Sequence, residues 1–121
     1  AQATRAPRLT KADGIVDWSG PAERIERLRR ALEPWPRLTT FFTRADGQRQ
    51  RLVLADVEVT SAEAAAVAPG TVTSTSGDRI VVACGEGTAL AILRLVPEGR
   101  REMSAAEFLR GSPLATGVKL G

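Results

Sequence analysis

The chain of 121 residues has no histidine and only one cysteine. Without histidine, Ser-His-Asp and Cys-His catalysis, histidine metal sites and proton transfer by imidazole near neutral pH are all excluded. One cysteine excludes an internal disulfide and argues against a zinc site. Cys84 ends the apolar run Ile80-Val-Val-Ala-Cys84, which favours a buried structural thiol over a nucleophile, since no base is near it in the sequence.

Long apolar runs are also missing. No segment approaches the roughly 20 apolar residues that a membrane-spanning helix needs. Residues 1–8 contain no apolar core of the kind found in a signal peptide. The first residue is not methionine, which we interpret as a sign either of a trimmed sequence or of a domain cut from a longer chain. These absences argue against contact with a membrane, and we expect the protein to be cytoplasmic and monomeric.

Positive charge is unevenly distributed along the chain. Residues 1–54 carry eleven Lys/Arg against six Asp/Glu, whereas residues 55–121 carry six against eight. Arginine supplies nearly all of the positive charge, and its planar guanidinium suits bidentate contacts with phosphate. This asymmetry indicates either a polyanion partner, of which nucleic acid is the commonest, or a merely solvated basic face.

Residues 21–33 predict one amphipathic helix. Ser19 or Gly20 is expected to cap it, with Pro21 in the first turn. Its apolar positions recur at spacings of three and four and are Ala22, Ile25, Leu28 and Leu32. The helix must end before Pro34. Trp35, held between two prolines, is expected either to pack the helix onto a sheet or to offer its face to a ligand.

After residue 36 the pattern is that of short strands. The predicted strands cover residues 38–43, 48–60, 71–75, 79–84 and 88–96. The alternation slips at Ala55-Asp56, which indicates a bulge. Gly85-Glu-Gly87 is predicted to be a turn and not a phosphate loop, because a strand follows it and not a helix. Ser104 and Glu107 have the spacing of a capping box that opens a short helix ending near Gly111.

These elements predict a mainly β fold. Five evenly spaced strands favour a small barrel or sandwich, and a barrel of this size is an OB-like Greek-key β-barrel, here with an N-terminal amphipathic helix and a short C-terminal helix. Residues 1–12 are predicted to be a linker or arm, and residues 13–121 a single domain. No pair of carboxylates suggests acid–base chemistry, so we predict no catalytic residue and no metal ligand. The candidate binding residues are the cations that could line one groove: Arg5, Arg8, Lys11, Arg37, Arg44, Arg49 and Arg51.

An ordered series of short motifs runs through the whole chain. It begins with Ala6-Pro-Arg-Leu-Thr-Lys-Ala-Asp-Gly14 and Arg30-Ala-Leu-Glu-Pro-Trp-Pro36. It continues with Val82-Ala-Cys-Gly-Glu-Gly87 and Leu95-Val-Pro-Glu-Gly-Arg-Arg-Glu-Met-Ser104, and closes with Gly117-Val-Lys-Leu-Gly121. In this order the motifs resemble the C-terminal domain of methionyl-tRNA formyltransferases. No single motif is decisive, but the series as a whole is highly specific.

The resemblance implies one part of a two-part enzyme. In the family, a Rossmann-like N-terminal domain holds 10-formyltetrahydrofolate and an Asn-His-Asp catalytic set, and formylates initiator methionyl-tRNA for translation initiation. This chain lacks histidine and that domain, so we expect no cofactor here and no activity from the fragment alone. The implied partners are initiator methionyl-tRNA and the catalytic domain in cis. The family's basic linker matches Arg5, Arg8 and Lys11, which are then expected to face tRNA.

Two alternatives remain open at this point. The chain could be the equivalent domain of a relative, such as formyltetrahydrofolate dehydrogenase or a sugar-nucleotide formyltransferase, which share the barrel but not the tRNA. The basic arm and the arginine-rich helix favour the tRNA enzyme. The other alternative is a structural role only, in which the barrel stabilises or orients the catalytic domain.

Overall fold

The computed structural model describes residues 14–32, 37–43, 46–60, 67–75, 78–111, 114 and 116–120. Within these residues the protein is mainly β, with an antiparallel sheet and two short helices. The predictions for Trp35 and its flanking prolines lie outside the described residues. So do those for Arg5, Arg8, Lys11 and Arg44.

The predicted amphipathic helix is present as α1 (Ala22–Ala31). Its apolar face packs against the sheet, with Ala22 and Ile25 buried and Leu28 partly buried. The opposite face is exposed and basic, and there Arg30 pairs with Glu26 one turn earlier at 3.0 Å. Burial of the apolar stripe therefore fixes which face of the helix presents its arginines to solvent.

The start of α1 differs from the prediction. Pro21, and not Ser19 or Gly20, is the N-cap residue, and its own side chain makes no capping hydrogen bond. The hydroxyl of Ser19 donates instead to Asp17, a contact that lowers the pKa of that carboxyl, together with the Ser19 backbone N–H. The Ala22 N–H, which has no acceptor within the helix, donates to Thr88 Oγ1 at 2.9 Å. The cap comes from a distant segment, which local sequence pattern cannot reveal.

The described strands form one antiparallel sheet. They are β1 (Thr39–Thr43), β2 (Arg49–Thr60), β3 (Val72–Ser74), β4 (Ile80–Ala83), β5 (Ala89–Pro97) and β6 (Met103–Ser104). The order across the sheet is β1-β2-β5-β4-β3, and β6 pairs with β5. The register of β2 on β5 shifts between Leu54 and Val57, so the predicted bulge is confirmed. β6 was not predicted, because two residues are too few to show alternation.

The C-terminal segment reaches both outer strands of the sheet. Leu120 forms an isolated bridge with Phe42 of β1, and Lys119 forms one with Thr71 just before β3. The Leu120 N–H also donates to the Gly70 carbonyl at 2.8 Å. The mainly β class is thus confirmed, while closure of the strands into a barrel stays a prediction.

The core lies between α1 and the inner face of the sheet. Its largest fully buried side chains include Leu54, Ile80 and Leu90. Trp18 is buried with them, and its indole Nε1–H donates to Thr40 Oγ1 at 3.0 Å. Cys84 is buried as predicted, and the burial raises the pKa of its thiol to about 12. A thiol of this kind stays protonated and is a poor nucleophile at neutral pH.

Two predicted local motifs are confirmed. Gly85–Gly87 forms a single 3-10 turn between β4 and β5. The second helix, α2 (Ala105–Gly111), begins at a capping residue, since the Glu107 N–H donates to Ser104 Oγ at 3.1 Å. None of the helices in the described part of the chain is long and apolar enough to cross a membrane.

Candidate functional site

The hairpin formed by β1 and β2 separates its side chains onto two faces. Directly paired residues of antiparallel strands point to the same side, and neighbours along a strand point to opposite sides. Phe42, paired with Gln50, is 3% exposed and belongs to the core. Phe41, paired with Arg51, therefore lies on the outer face, where it is only half-buried.

On this outer face an aromatic ring lies between two arginines. The guanidinium carbon of Arg49 is 4.1 Å from the centroid of the Phe41 ring, which is close enough for a cation–π contact. Arg51 is the direct cross-strand partner of Phe41, and both arginines are exposed. We call Phe41, Arg49 and Arg51 the outer patch. Within the described residues neither arginine forms an ion pair, so their charges remain available to an anionic ligand.

A shallow depression of about 300 Å³ adjoins the outer patch. It is lined by Gln48, Arg49, Gln50 and Glu98. Glu98 is held there by the backbone, because its N–H donates to the Arg51 carbonyl at 2.8 Å and its Oε1 accepts from the Arg51 N–H at 3.2 Å. The depression is therefore lined both by a residue with a guanidinium, Arg49, and by one with a carboxylate, Glu98.

Three other described arginines are neutralised by carboxylates. Arg79 pairs with Glu58 at 3.8 Å, Arg94 with Glu102 at 2.7 Å, and Arg101 with Glu107 at 2.5 Å. Exposed pairs of this kind contribute little to stability, but they reduce the local positive potential. Arg27, Arg100 and Arg110 also form no ion pair with a described residue, so what distinguishes Arg49 and Arg51 is that they share one strand face with the Phe41 ring.

Arg37 is not part of this cluster. It precedes β1, whereas Arg49 is paired with Thr43 at the opposite end of that strand. The Arg37 backbone has a φ of 67°, a left-handed conformation, and the Arg37 N–H donates to the Leu32 carbonyl at 3.2 Å. The structure therefore brings together two of the predicted binding residues, Arg49 and Arg51, and places Arg37 at the other end of β1.

Four residues of the site were not among the predicted ones: Phe41, Gln48, Gln50 and Glu98. Phe41 could have been recognised, since consecutive aromatic residues in a strand must face opposite sides and only one of them can enter the core. Glu98 could not, because its position depends on how the end of β5 meets β2. Among the described residues, no group of three His, Cys, Asp or Glu side chains is arranged to hold a metal ion.

Comparison with known proteins gives a consistent result. A protein-family model described as formyl transferase, C-terminal domain, matches residues 8–113. The chain is 41% identical over 121 residues to the methionyl-tRNA formyltransferase of Roseiflexus sp. (strain RS-1), a match that covers 100% of the chain and 35% of that protein. It is 42% identical over 120 residues to the methionyl-tRNA formyltransferase of Granulibacter bethesdensis, covering 99% of the chain and 35% of that protein. For the methionyl-tRNA formyltransferase of Myxococcus xanthus the identity is 44% over 112 residues, covering 93% of the chain and 33% of that protein. The chain thus spans about a third of the length of these relatives.

Proposed function

The chain belongs to the formyl transferase C-terminal domain family, as its ordered motifs predicted, and from this premise we propose that it is the tRNA-binding domain of a methionyl-tRNA formyltransferase. The complete enzyme would transfer a formyl group from 10-formyltetrahydrofolate to the amino group of initiator methionyl-tRNA in the cytoplasm. The formyl donor and the catalytic residues would belong to a separate domain in cis. The present domain contributes binding and orientation of the tRNA.

The observation that carries this proposal is the unpaired positive charge of Arg49 and Arg51 on one exposed hairpin face. Residues at positions i and i+2 of a strand lie on the same side, about 7 Å apart, which is close to the spacing of successive phosphates along an RNA strand. Arginine donates two parallel hydrogen bonds to a phosphate. The pair can therefore contact a short run of backbone phosphates.

Contacts of this type position the nucleic acid and carry little sequence information. The domain would hold the body of the tRNA while another part of the enzyme recognises the aminoacylated end. In the proposal, four further cations add phosphate contacts: Arg5, Arg8 and Lys11 of the arm, and Arg44. Each phosphate contact releases condensed counterions, so binding must weaken as salt rises.

A filter-binding comparison tests this function against its alternatives. We expect initiator tRNA to bind the chain with an affinity that falls steeply between about 50 and 200 mM salt, and a sugar nucleotide not to compete at equal concentration. Preferential binding of the sugar nucleotide would indicate a formyltransferase of another substrate class. An affinity for tRNA that does not change with salt, or no tRNA binding at all, would leave only a structural role.

A further inference from the structure

The depression beside the outer patch contains a carboxylate, which is a poor neighbour for phosphate. Glu98 lines it together with Gln48, Arg49 and Gln50. One carboxylate oxygen of Glu98 accepts from the Arg51 N–H, and this fixes the group at the wall of the depression. A negative charge here repels a phosphate group but accepts hydrogen bonds from an amino group. The depression is thus suited to a ligand with amino donors, unlike the exposed arginines next to it.

The stacked pair Phe41 and Arg49 provides a flat surface next to this depression. The ring supports the guanidinium at 4.1 Å, and Arg49 is otherwise exposed to solvent. Nucleobases stack both on aromatic rings and on arginine guanidinium planes when they are not paired in a duplex. An unpaired base could therefore stack on this surface with its edge towards Glu98.

We propose that the outer patch and the depression together bind one unpaired nucleobase of RNA. The base stacks on the face of the Arg49 guanidinium above Phe41, and the N–H edge of that group stays free to donate to a phosphate. Glu98 accepts a hydrogen bond from the exocyclic amino group of the base, and Arg51 contacts the adjacent phosphate. This deepens the proposed function, on which it rests, because it requires a single-stranded element in the RNA and not only a duplex backbone.

Glu98 makes the site selective among bases. Cytosine carries an amino group at the position where uracil carries a carbonyl oxygen, and a carboxylate attracts the first and repels the second. The two pyrimidines stack similarly, so a difference between them reports the edge contact. The site is expected to prefer cytosine over uracil.

Fluorescence anisotropy with labelled single-stranded oligomers of about nine nucleotides tests this preference. We expect oligocytidine to bind the chain at least about fivefold more tightly than oligouridine, the lower end of what one such base contact provides. Glu98→Gln keeps an acceptor oxygen for the Arg51 N–H but adds an amide donor for uracil. It should reduce the preference to about twofold or less.

A second set of variants tests the stacking surface. Phe41→Leu should weaken binding of oligocytidine at least about fivefold and leave the affinity for a blunt RNA duplex unchanged. Arg49→Lys keeps the charge but removes the planar group, and should have the same selective effect. Arg101→Lys is the matched control, because Arg101 is already paired with Glu107 and has no contact with Phe41 among the described residues. Circular dichroism melts confirm that each variant is folded.

The outcomes separate this inference from the proposed function. Salt-dependent tRNA binding together with equal affinity for oligocytidine and oligouridine would overturn the base site and leave the proposed function standing. The base site would also be wrong if Phe41→Leu weakened duplex and single-stranded RNA equally. Absence of any RNA binding would overturn both.

Discussion

Thr88 Oγ1 accepts a hydrogen bond from the Ala22 N–H at 2.9 Å across a separation of 66 residues. The same hydroxyl donates to the Gly85 carbonyl at 2.6 Å, so it joins the 3-10 turn to the first turn of α1. The Gly85 N–H adds a bond to the Gly20 carbonyl at 3.0 Å. This small network sets where the helix begins relative to the sheet.

Replacing Thr88 should therefore destabilise the whole domain. Thr88→Val preserves the shape of the side chain but leaves the Ala22 N–H without its acceptor, and we expect it to lower the free energy of unfolding by about 1 to 2 kcal/mol. Thr88→Ser keeps the hydroxyl and should lose less than about 1 kcal/mol. Urea denaturation measures both variants. Equal stability of Thr88→Val and the wild type would show that the cap contributes nothing.

Among the described glycines outside the left-handed region, Gly85 should tolerate a side chain least. A Cβ at this position would lie 1.8 Å from the Ser19 carbonyl oxygen, so the turn and the helix start would have to separate. We expect Gly85→Ala to lower the free energy of unfolding, measured by thermal or urea denaturation, by about 1 to 3 kcal/mol. Gly111→Ala is the control, since nothing lies within 4 Å of a Cβ there, and it should be neutral or slightly stabilising.

The buried thiol of Cys84 makes the free energy of unfolding depend on pH in the alkaline range. Its pKa is raised from 9.0 to about 12 by burial, so above pH 9 the unfolded chain loses a proton that the folded chain keeps. The folded state then binds more protons, and the free energy of unfolding falls by up to about 1.4 kcal/mol per pH unit between these two values. The chain has no tyrosine, so no phenol contributes to the pH dependence in this window.

Cys84→Ala removes this effect. The pH dependence of its stability, measured by urea unfolding at several values between pH 9 and 12, should be flatter than that of the wild type. Parallel slopes for the two proteins would mean that the thiol is not protected in the folded state.

The buried hydrogen bond between Trp18 and Thr40 offers a test with a built-in fluorophore. Thr40→Val leaves the indole N–H without an acceptor at a position that is 1% exposed, and should cost about 1 to 3 kcal/mol. Thr43→Val, on an exposed position of the same strand, should change stability by less than about 0.5 kcal/mol. Tryptophan fluorescence follows unfolding of both. If Thr40→Val were no less stable than Thr43→Val, the hydrogen bond between Trp18 and Thr40 would not contribute to stability.

These elements also show what sequence pattern can and cannot provide. The apolar stripe around Ile25 and the phase slip at Ala55 are local features, and both the helix and the bulge were predicted from them. The cap from Thr88 and the position of Glu98 arise from chain segments that meet only after folding, so periodicity carries no information on them. The candidate site was predicted only in part for the same reason. The sequence shows where the arginines are, but it does not show which of them form ion pairs with carboxylates.

In the proposed function Arg49 and Arg51 contact tRNA phosphates, and these contacts are measured by the salt dependence of binding. The association constant of initiator tRNA is measured between about 50 and 200 mM salt for the wild type, for the double variant Arg49→Ala/Arg51→Ala and for the paired control Arg101→Ala. The double variant should bind more weakly, and the slope of its logarithmic salt plot should decrease by about two units, one for each lost phosphate contact. The control should keep the slope of the wild type. A double variant with the wild-type slope would contradict the claim.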